Sequence, residues 1–281
     1  METPSTEGRQ VVRFSRLNRI LHVIMIVSFM SLALTGMTLK FSYTGWASFL
    51  ARFFGGFESA GYVHRVAAVS MFGIFITHLI DLWRLKLREY GSWKKLLFGP
   101  DSMLPGKRDS KEFVASFKWF LNLGRRPAFG RWTYWEKFDY LAVFWGVAVI
   151  GATGLMLWFP EFFTQFVPGW FINVATIIHS DEALLAVGFI FTVHFFNTHL
   201  RPEKFPMDLV IFTGRVDEEE FKADRPREYE ELKKRGTYDD LLVEPYPPIV
   251  IRAIKFFGWT ALSLGFTITV MIIYAMIFAY R

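Results

Sequence analysis

The 281-residue sequence has no cysteine. Without thiolates the chain cannot hold an iron–sulfur cluster through sulfur, attach a c-type haem or form a disulfide, so any such centre belongs to another subunit. The first apolar stretch also lacks a small-residue cleavage site. It follows Arg9, Arg13 and Arg16, and it ends in Thr35-Gly36-Met37-Thr38-Leu39-Lys40. This predicts a retained helix rather than a signal peptide. No internal repeat and no low-complexity tract stands out.

What the chain has in excess is apolar and aromatic surface. It is 52% hydrophobic and carries 32 Phe, too much for an ordinary soluble domain of this length. The apolar residues cluster near 17–41, 62–83, 137–159, 171–197 and 250–279. Each stretch approaches the ~20 residues that cross a hydrocarbon core of roughly 30 Å. The expected fold is all-α, an integral membrane helical bundle of five spans. The net charge of +6 would suit nucleic acid in a soluble protein. Here the basic residues flank apolar spans, which excludes nucleic acid as partner and makes membrane lipid the first one.

Arg9, Arg13, Arg16 and Arg19 gather at the start of the first span, and the connection 84–131 carries 12 Lys or Arg against four acids. The loop near 160–170 has no Lys or Arg. The positive-inside rule therefore predicts a cytoplasmic N-terminus and, after five spans, an outside C-terminus at Arg281. Within the first inside connection, Lys111–Leu123 reads as an amphipathic helix with Phe113, Phe117 and Phe120 on one side. It suits either the membrane surface or packing on neighbouring loops. The second connection, 201–249, contains Asp217-Glu218-Glu219-Glu220 and Glu228-Tyr229-Glu230-Glu231-Leu232-Lys233-Lys234. It predicts one or two exposed charged helices ending at Tyr246-Pro247-Pro248, used for docking or as a solvated linker.

All six histidines, His22, His64, His78, His179, His194 and His199, fall within or at the ends of the predicted spans. Groups that ionise or bind metal are costly at membrane depth and usually face the bundle interior for a function. His64 and His78 are separated by a rise of ~21 Å and a rotation of about −40° on an α-helix, so they share a face near opposite surfaces. His179 and His194 are ~22 Å apart along the axis with a rotation of about +60°. Two helices carrying such pairs suit two stacked haems, each taking neutral imidazole on both sides of the iron. Zinc needs four close ligands, commonly spaced as in His-x3-His, and that spacing is absent. By depth, His64 and His179 make the outer pair, while His22, His78 and His194 compete for an inner haem. His199, rotated by roughly 140° from His194 on an α-helix, cannot easily share its iron; it would serve a propionate or a quinone, or cap the span. Arg16, Arg19 and Arg84 would either neutralise propionates or set topology at lipid headgroups, with topology the favoured role.

Several motifs resemble one family. They are Arg19-Ile20-Leu21-His22 with Leu34-Thr35-Gly36, His64 at the start of the second span, Gly130-Arg131-Trp132-Thr133-Tyr134-Trp135-Glu136-Lys137, and His179 with His194. Over about residues 13–200 the chain resembles the di-haem cytochrome b subunits of respiratory formate dehydrogenases, nickel–iron hydrogenases and thiosulfate reductases. The tract His199-Leu200-Arg201-Pro202-Glu203-Lys204-Phe205-Pro206-Met207-Asp208 resembles the branch associated with multihaem c-type cytochromes. The resemblance implies a 1–200 di-haem core, the 201–249 charged connection and a fifth helix at 250–281 beyond the basic pattern. It implies His64 with His179 on one b haem and His22 with His194 on the other. His78 and His199 are additional to the usual four, so that His78 could replace His22 or a third haem could exist. The His179–His194 interval is 15, where the family tends toward 14.

The function implied is an anaerobic respiratory electron-transfer subunit of a quinone-linked oxidoreductase complex in a bacterial or archaeal cytoplasmic membrane. It would connect a quinone pool, by resemblance menaquinone, to a peripheral or periplasmic redox subunit bearing Fe–S, molybdenum, nickel or c-haem centres. The quinone would lie near the inner haem, with Thr133 as hydrogen-bond donor, Trp135 stacking and Glu136 exchanging a proton. Two rival classes are a histidine-relay transporter or proton channel, which would favour helices broken by Gly or Pro at the midplane, and a non-redox membrane anchor of a peripheral enzyme. The spans show no strong interruption, and an anchor leaves the paired histidine depths unexplained.

Overall fold

The computed structural model describes residues 8–205 and 207–279. The predicted position of Arg281 therefore lies outside the described residues. A short strand β1 (Gln10–Val12) leads into helix α1 (Arg16–Lys40), followed by α2 (Gly45–Phe53), α3 (Phe57–Leu85), α4 (Trp93–Phe98) and α5 (Lys107–Phe120). Next come α6 (Tyr134–Trp158), the single turn α7 (Pro160–Phe163), α8 (Trp170–Phe189) and the turn α9 (Val210–Thr213). Strand β2 (Arg215–Asp217), helices α10 (Glu218–Asp224) and α11 (Pro226–Arg235), strand β3 (Leu242–Val243) and helix α12 (Pro248–Tyr274) complete the order. Helices α3, α8 and α12 continue through π-turns at Lys86–Tyr90, at Ile190–His194 with Phe196–Leu200, and at Ala275–Ala279. Among the described residues, five helices are long and apolar enough to cross a membrane: Arg16–Lys40, Phe57–Tyr90, Tyr134–Trp158, Trp170–Leu200 and Pro248–Ala279. This all-α membrane bundle is the expected one; the first helix matches its apolar run in length, and the second extends well beyond 62–83 at both ends.

The chain forms two compact units. The first joins residues 21–79, 143–207 and 256–279 and contains the apolar bodies of the spans. Its packing relies on close approaches. Ser28 donates to or accepts from Ser70 at 2.9 Å between α1 and α3, and Phe72 lies where a Cβ on Gly151 would come within 2.9 Å. Gly265 of α12 faces the rings of Phe191 and Phe195. Large apolar side chains such as Val66, Leu185, Val270 and Ile277 are exposed, as a lipid-facing surface requires.

The second unit joins the N-terminus, residues 80–142 and 208–255. Thus the connection 201–249 does not stand alone as an exposed charged segment. Strand β1 is the centre of an antiparallel sheet ordered β2-β1-β3, with Val11 opposite Val216 and Leu242. Val11, Val216, Phe221 and Tyr238 form its buried core. Two charged helices do form, but each buries an acid. Glu218 is held by Lys222, Arg9 and the Tyr238 hydroxyl, and Glu228 by Arg13 and Arg131. Three-residue strands carry too little period-2 pattern to be read from sequence, which explains why the sheet was not expected.

Helix α5 starts four residues earlier than the amphipathic pattern suggested and ends at Phe120. Its Phe113, Phe117 and Phe120 are exposed, whereas Asp109 pairs with Lys137 and Glu112 with Arg227. The acidic side therefore carries the protein contacts and the aromatic side is turned outward.

Candidate haem site

The four helices that carry the site repeat a local plan. Arg13-Phe14-Ser15 precedes α1 and Arg131-Trp132-Thr133 precedes α6, at an offset of 118 residues. Arg13 donates to the Arg131 carbonyl at 2.8 Å, and Arg131 returns a bond to the Arg13 carbonyl at 2.7 Å. Phe14 and Trp132 pack with ring centroids 5.9 Å apart. Ser15 caps α1 by accepting from the Asn18 amide, and Thr133 with Glu136 forms the equivalent capping box on α6. At the same offset, Leu32-x-x-Thr35-Gly36 of α1 matches Ile150-x-x-Thr153-Gly154 of α6. This repeat was missed in sequence because the lining residues between the matching positions differ; the signal was the paired Thr-Gly steps.

Those two Thr-Gly steps cradle the predicted outer pair. His64 on α3 and His179 on α8 face each other with ring centroids 6.2 Å apart and planes crossing at 73°. Imidazole nitrogens bind a metal at about 2 Å, which places two opposed ring centroids about 6 Å apart across one ion. The Thr35 hydroxyl oxygen is 2.9 Å from His64 Nδ1, and the Leu32 backbone hydrogen-bonds the same ring. Correspondingly, His179 Nδ1 lies 3.0 Å from the Ile150 carbonyl oxygen and 3.3 Å from Thr153 Oγ1. A Cβ on Gly36 would stand 3.2 Å from His64 Cε1, and one on Gly154 would stand 3.0 Å from His179 Cε1. Glycine thus lets each ring edge lie against its neighbouring helix. With Nδ1 engaged on both rings, Nε2 is the nitrogen left on each that could hold a metal. Among the described residues no three His, Asp or Glu side chains cluster closely enough to hold a bare ion. Two opposed imidazoles fit a haem iron, whose other four ligands come from the porphyrin.

A family model for prokaryotic cytochrome b561 matches residues 13–200. The chain belongs to the prokaryotic cytochrome b561 family. No curated protein matches it at a significant level. It is accordingly a multi-pass membrane cytochrome b of electron transfer, in a family that binds b haems.

The other histidines of this cytochrome occupy the far part of the same unit. His22 of α1 is close enough to His194 and His199 to feel both electrostatically. His199 packs edge-on to Phe195 at 6.2 Å, and His78 edge-on to Phe144 at 6.1 Å. The α-helical rotation of roughly 140° between His194 and His199 does not apply, because both lie in successive π-turns. Hydrogen bonds from i to i+5 reduce the rotation between residues five apart well below its α-helical value, which brings His199 round towards the side of His194. The π-turn also accounts for the 15-residue interval from His179 to His194. A π-turn holds one more residue than an α-turn, so His194 keeps the phase that His78, 14 residues after His64, has on α3.

In the fold, Thr133, Trp135 and Glu136, the residues expected near a quinone, have these protein partners. Thr133 is buried and donates its hydroxyl to Glu136 Oε2 at 2.7 Å, and the Thr133 amide donates to the same oxygen. Glu136 Oε1 accepts from Arg225 at 2.8 Å. Trp135 packs edge-on against Phe129 and Tyr134. Arg225 is nearly enclosed, which lowers the affinity for its proton, but Glu136 opposite it overcomes that and raises its pKa. Burial, helped by Arg225, takes Arg13 down to about 10, with Glu228 and Glu136 opposing the fall.

Arg19 has two protein partners. It donates to the Thr213 carbonyl and to the Tyr246 hydroxyl, tying the base of α1 to the segment before α12. Arg16 and Arg84 are exposed.

Proposed function

We propose that this cytochrome is the membrane subunit of a respiratory complex, passing electrons through two b haems between a quinone pool and a partner redox subunit. The reading is carried by one observation, the opposed His64 and His179 rings with both Nδ1 atoms engaged. His64 and His179 would hold one haem. His22 and His194 would hold the second, supported by the electrostatic contact of His22 with His194. His199 would stand beside that second site and His78 would be a packing residue on Phe144. A haem held in this way supplies reversible one-electron chemistry. The residues of the chain do the rest: the imidazoles set the ligand field, the Thr-Gly steps fix ring orientation, and the lipid-facing apolar surface excludes water from the bundle.

The quinone is menaquinone in this proposal, and the partner carries the Fe–S, molybdenum, nickel or c-haem centre that a chain without cysteine cannot hold through thiolate. The first unit would be the membrane core, and the basic flanks support a cytoplasmic N-terminus. The test is a reduced-minus-oxidised spectrum with a pyridine haemochrome assay on the purified chain. His64→Ala and His179→Ala should each remove the same one of two b haems. His22→Ala should remove the other, whereas His78→Ala should leave both. A chain with no b haem would overturn the proposal; loss of a haem in His78→Ala with both retained in His22→Ala would reassign the second site.

A further inference from the structure

The paired contacts behind His64 and His179 determine where the hydrogen of each ring must sit. The Thr35 hydroxyl donates its hydrogen to the Ser31 carbonyl at 2.6 Å, one helical turn back. It therefore meets His64 Nδ1 with a lone pair, and Nδ1 must supply the hydrogen of that bond. Thr153 repeats the arrangement, its hydroxyl donating to the Val149 carbonyl at 2.7 Å while its oxygen faces His179 Nδ1 at 3.3 Å. The Ile150 carbonyl, 3.0 Å from the same nitrogen, can only accept. Both rings are thus held as the Nδ1–H tautomer, each by a threonine oxygen together with the carbonyl of the residue three before that threonine.

We infer that Thr35 and Thr153 are positioning residues that tune the reduction potential of the haem shared by His64 and His179. An acceptor on Nδ1–H shifts electron density towards Nε2, making the imidazole a stronger donor to the iron. A stronger donor favours the oxidised metal, so each hydroxyl oxygen holds the potential down. Two equivalent clasps, one on each axial ligand, act in the same direction. The roles of Gly36 and Gly154 follow from the same geometry: they allow the rings to come close enough to reach their threonines. Helix α1 therefore serves two purposes, carrying His22 and, between three and four turns later, setting the electronic character of a ligand on α3.

This inference rests on the haem assignment proposed above, and its test separates the two. Thr35→Val and Thr153→Val remove the oxygen while keeping the shape of the side chain, and Thr35→Ser and Thr153→Ser restore it. Haem content, a potentiometric titration and the low-spin electron paramagnetic resonance spectrum are recorded for the haem-loaded full chain. Each valine variant should raise the potential of the same one haem. The expected change is about threefold in the reduced-to-oxidised ratio at fixed potential, equivalent to about 28 mV at 59 mV per tenfold for one electron. The serine variants should return to the parent value, and the second haem should not move. Unchanged potentials in both valine variants would overturn the inference. So would serine variants that behave like valine, because the methyl group rather than the oxygen would then matter. If a valine variant loses the haem, its serine counterpart must retain it at the parent potential; loss in both overturns the inference. Shifts in two different haems would instead overturn the sharing of one iron by His64 and His179, and a parent chain without b haem would overturn the functional proposal itself.

Discussion

At the scale of single residues, the site depends on atoms that are missing as much as on those present. Gly154 leaves 3.0 Å between a would-be Cβ and His179 Cε1, and Gly36 leaves 3.2 Å before His64 Cε1. Both are tighter than ordinary van der Waals contact, so a methyl group must push the imidazole away from its helix. Gly154→Ala should disturb the low-spin spectrum of one haem more than Gly36→Ala does, because its ring has less room. Electron paramagnetic resonance of the two variants checks this, and identical parent-like spectra would contradict it. The histidines themselves were legible in sequence, since a polar ring in an apolar run stands out. Their threonine partners were not, because Thr in a membrane helix commonly bonds its own i−4 carbonyl and looks the same whether or not a second ring sits on it.

At the scale of elements, helices are joined by side-chain size and by hydrogen bonds at their ends. Gly265 of α12 lies where a Cβ would come within 2.7 Å of Phe195 and 2.8 Å of Phe191, with Phe266 packing on Phe195 nearby. Gly265→Leu should force α12 off α8 and lower the thermal stability of the detergent-solubilised protein, by about 1–3 kcal/mol for overpacking of this kind. The haem of His64 and His179 should keep its spectrum, because Gly265 meets Phe191 and Phe195 whereas Gly36 and Gly154 meet His64 and His179. An unchanged melting temperature would contradict the packing. Element type was readable from length and apolarity, and each span overlaps its apolar run, the second extending past it at both ends. The π-turns at Ile190–His194 and Phe196–Leu200 were not, since nothing in residue type separates a π-turn from an α-turn; the 15-residue histidine interval was its one visible trace.

At the scale of the molecule, the polar unit depends on buried acids held by several cations. Burial alone would raise Glu218 above its ordinary 4.5, but Lys222, the Tyr238 hydroxyl and Arg9 together hold it lower. A carboxylate lowered by folding stabilises fully above its unfolded value and loses that contribution as pH falls through its folded value. Acidification below about pH 4.5 should therefore loosen the β2-β1-β3 sheet around Val11 and Val216. Hydrogen exchange of these amides across that range should show the loss in the parent chain and a flatter profile in Glu218→Gln. Equal profiles would show that Glu218 contributes nothing to the pH dependence.

The sequence by itself determined the number of membrane helices and the presence of histidines at two depths. These follow from local quantities: the length of an apolar run, the period of an α-helix and the cost of a polar ring in hydrocarbon. It also excluded thiolate-held centres. Tertiary structure alone decided that His64 meets His179, that each ring is held by a Thr-Gly step 118 residues from the other, and that His199 comes round towards the side of His194. It likewise turned Thr133 and Glu136 into a helix cap bound to Arg225. These outcomes depend on which side chain lies across a helix interface, and such partners are far apart in the chain. Short-range pattern carries no record of them.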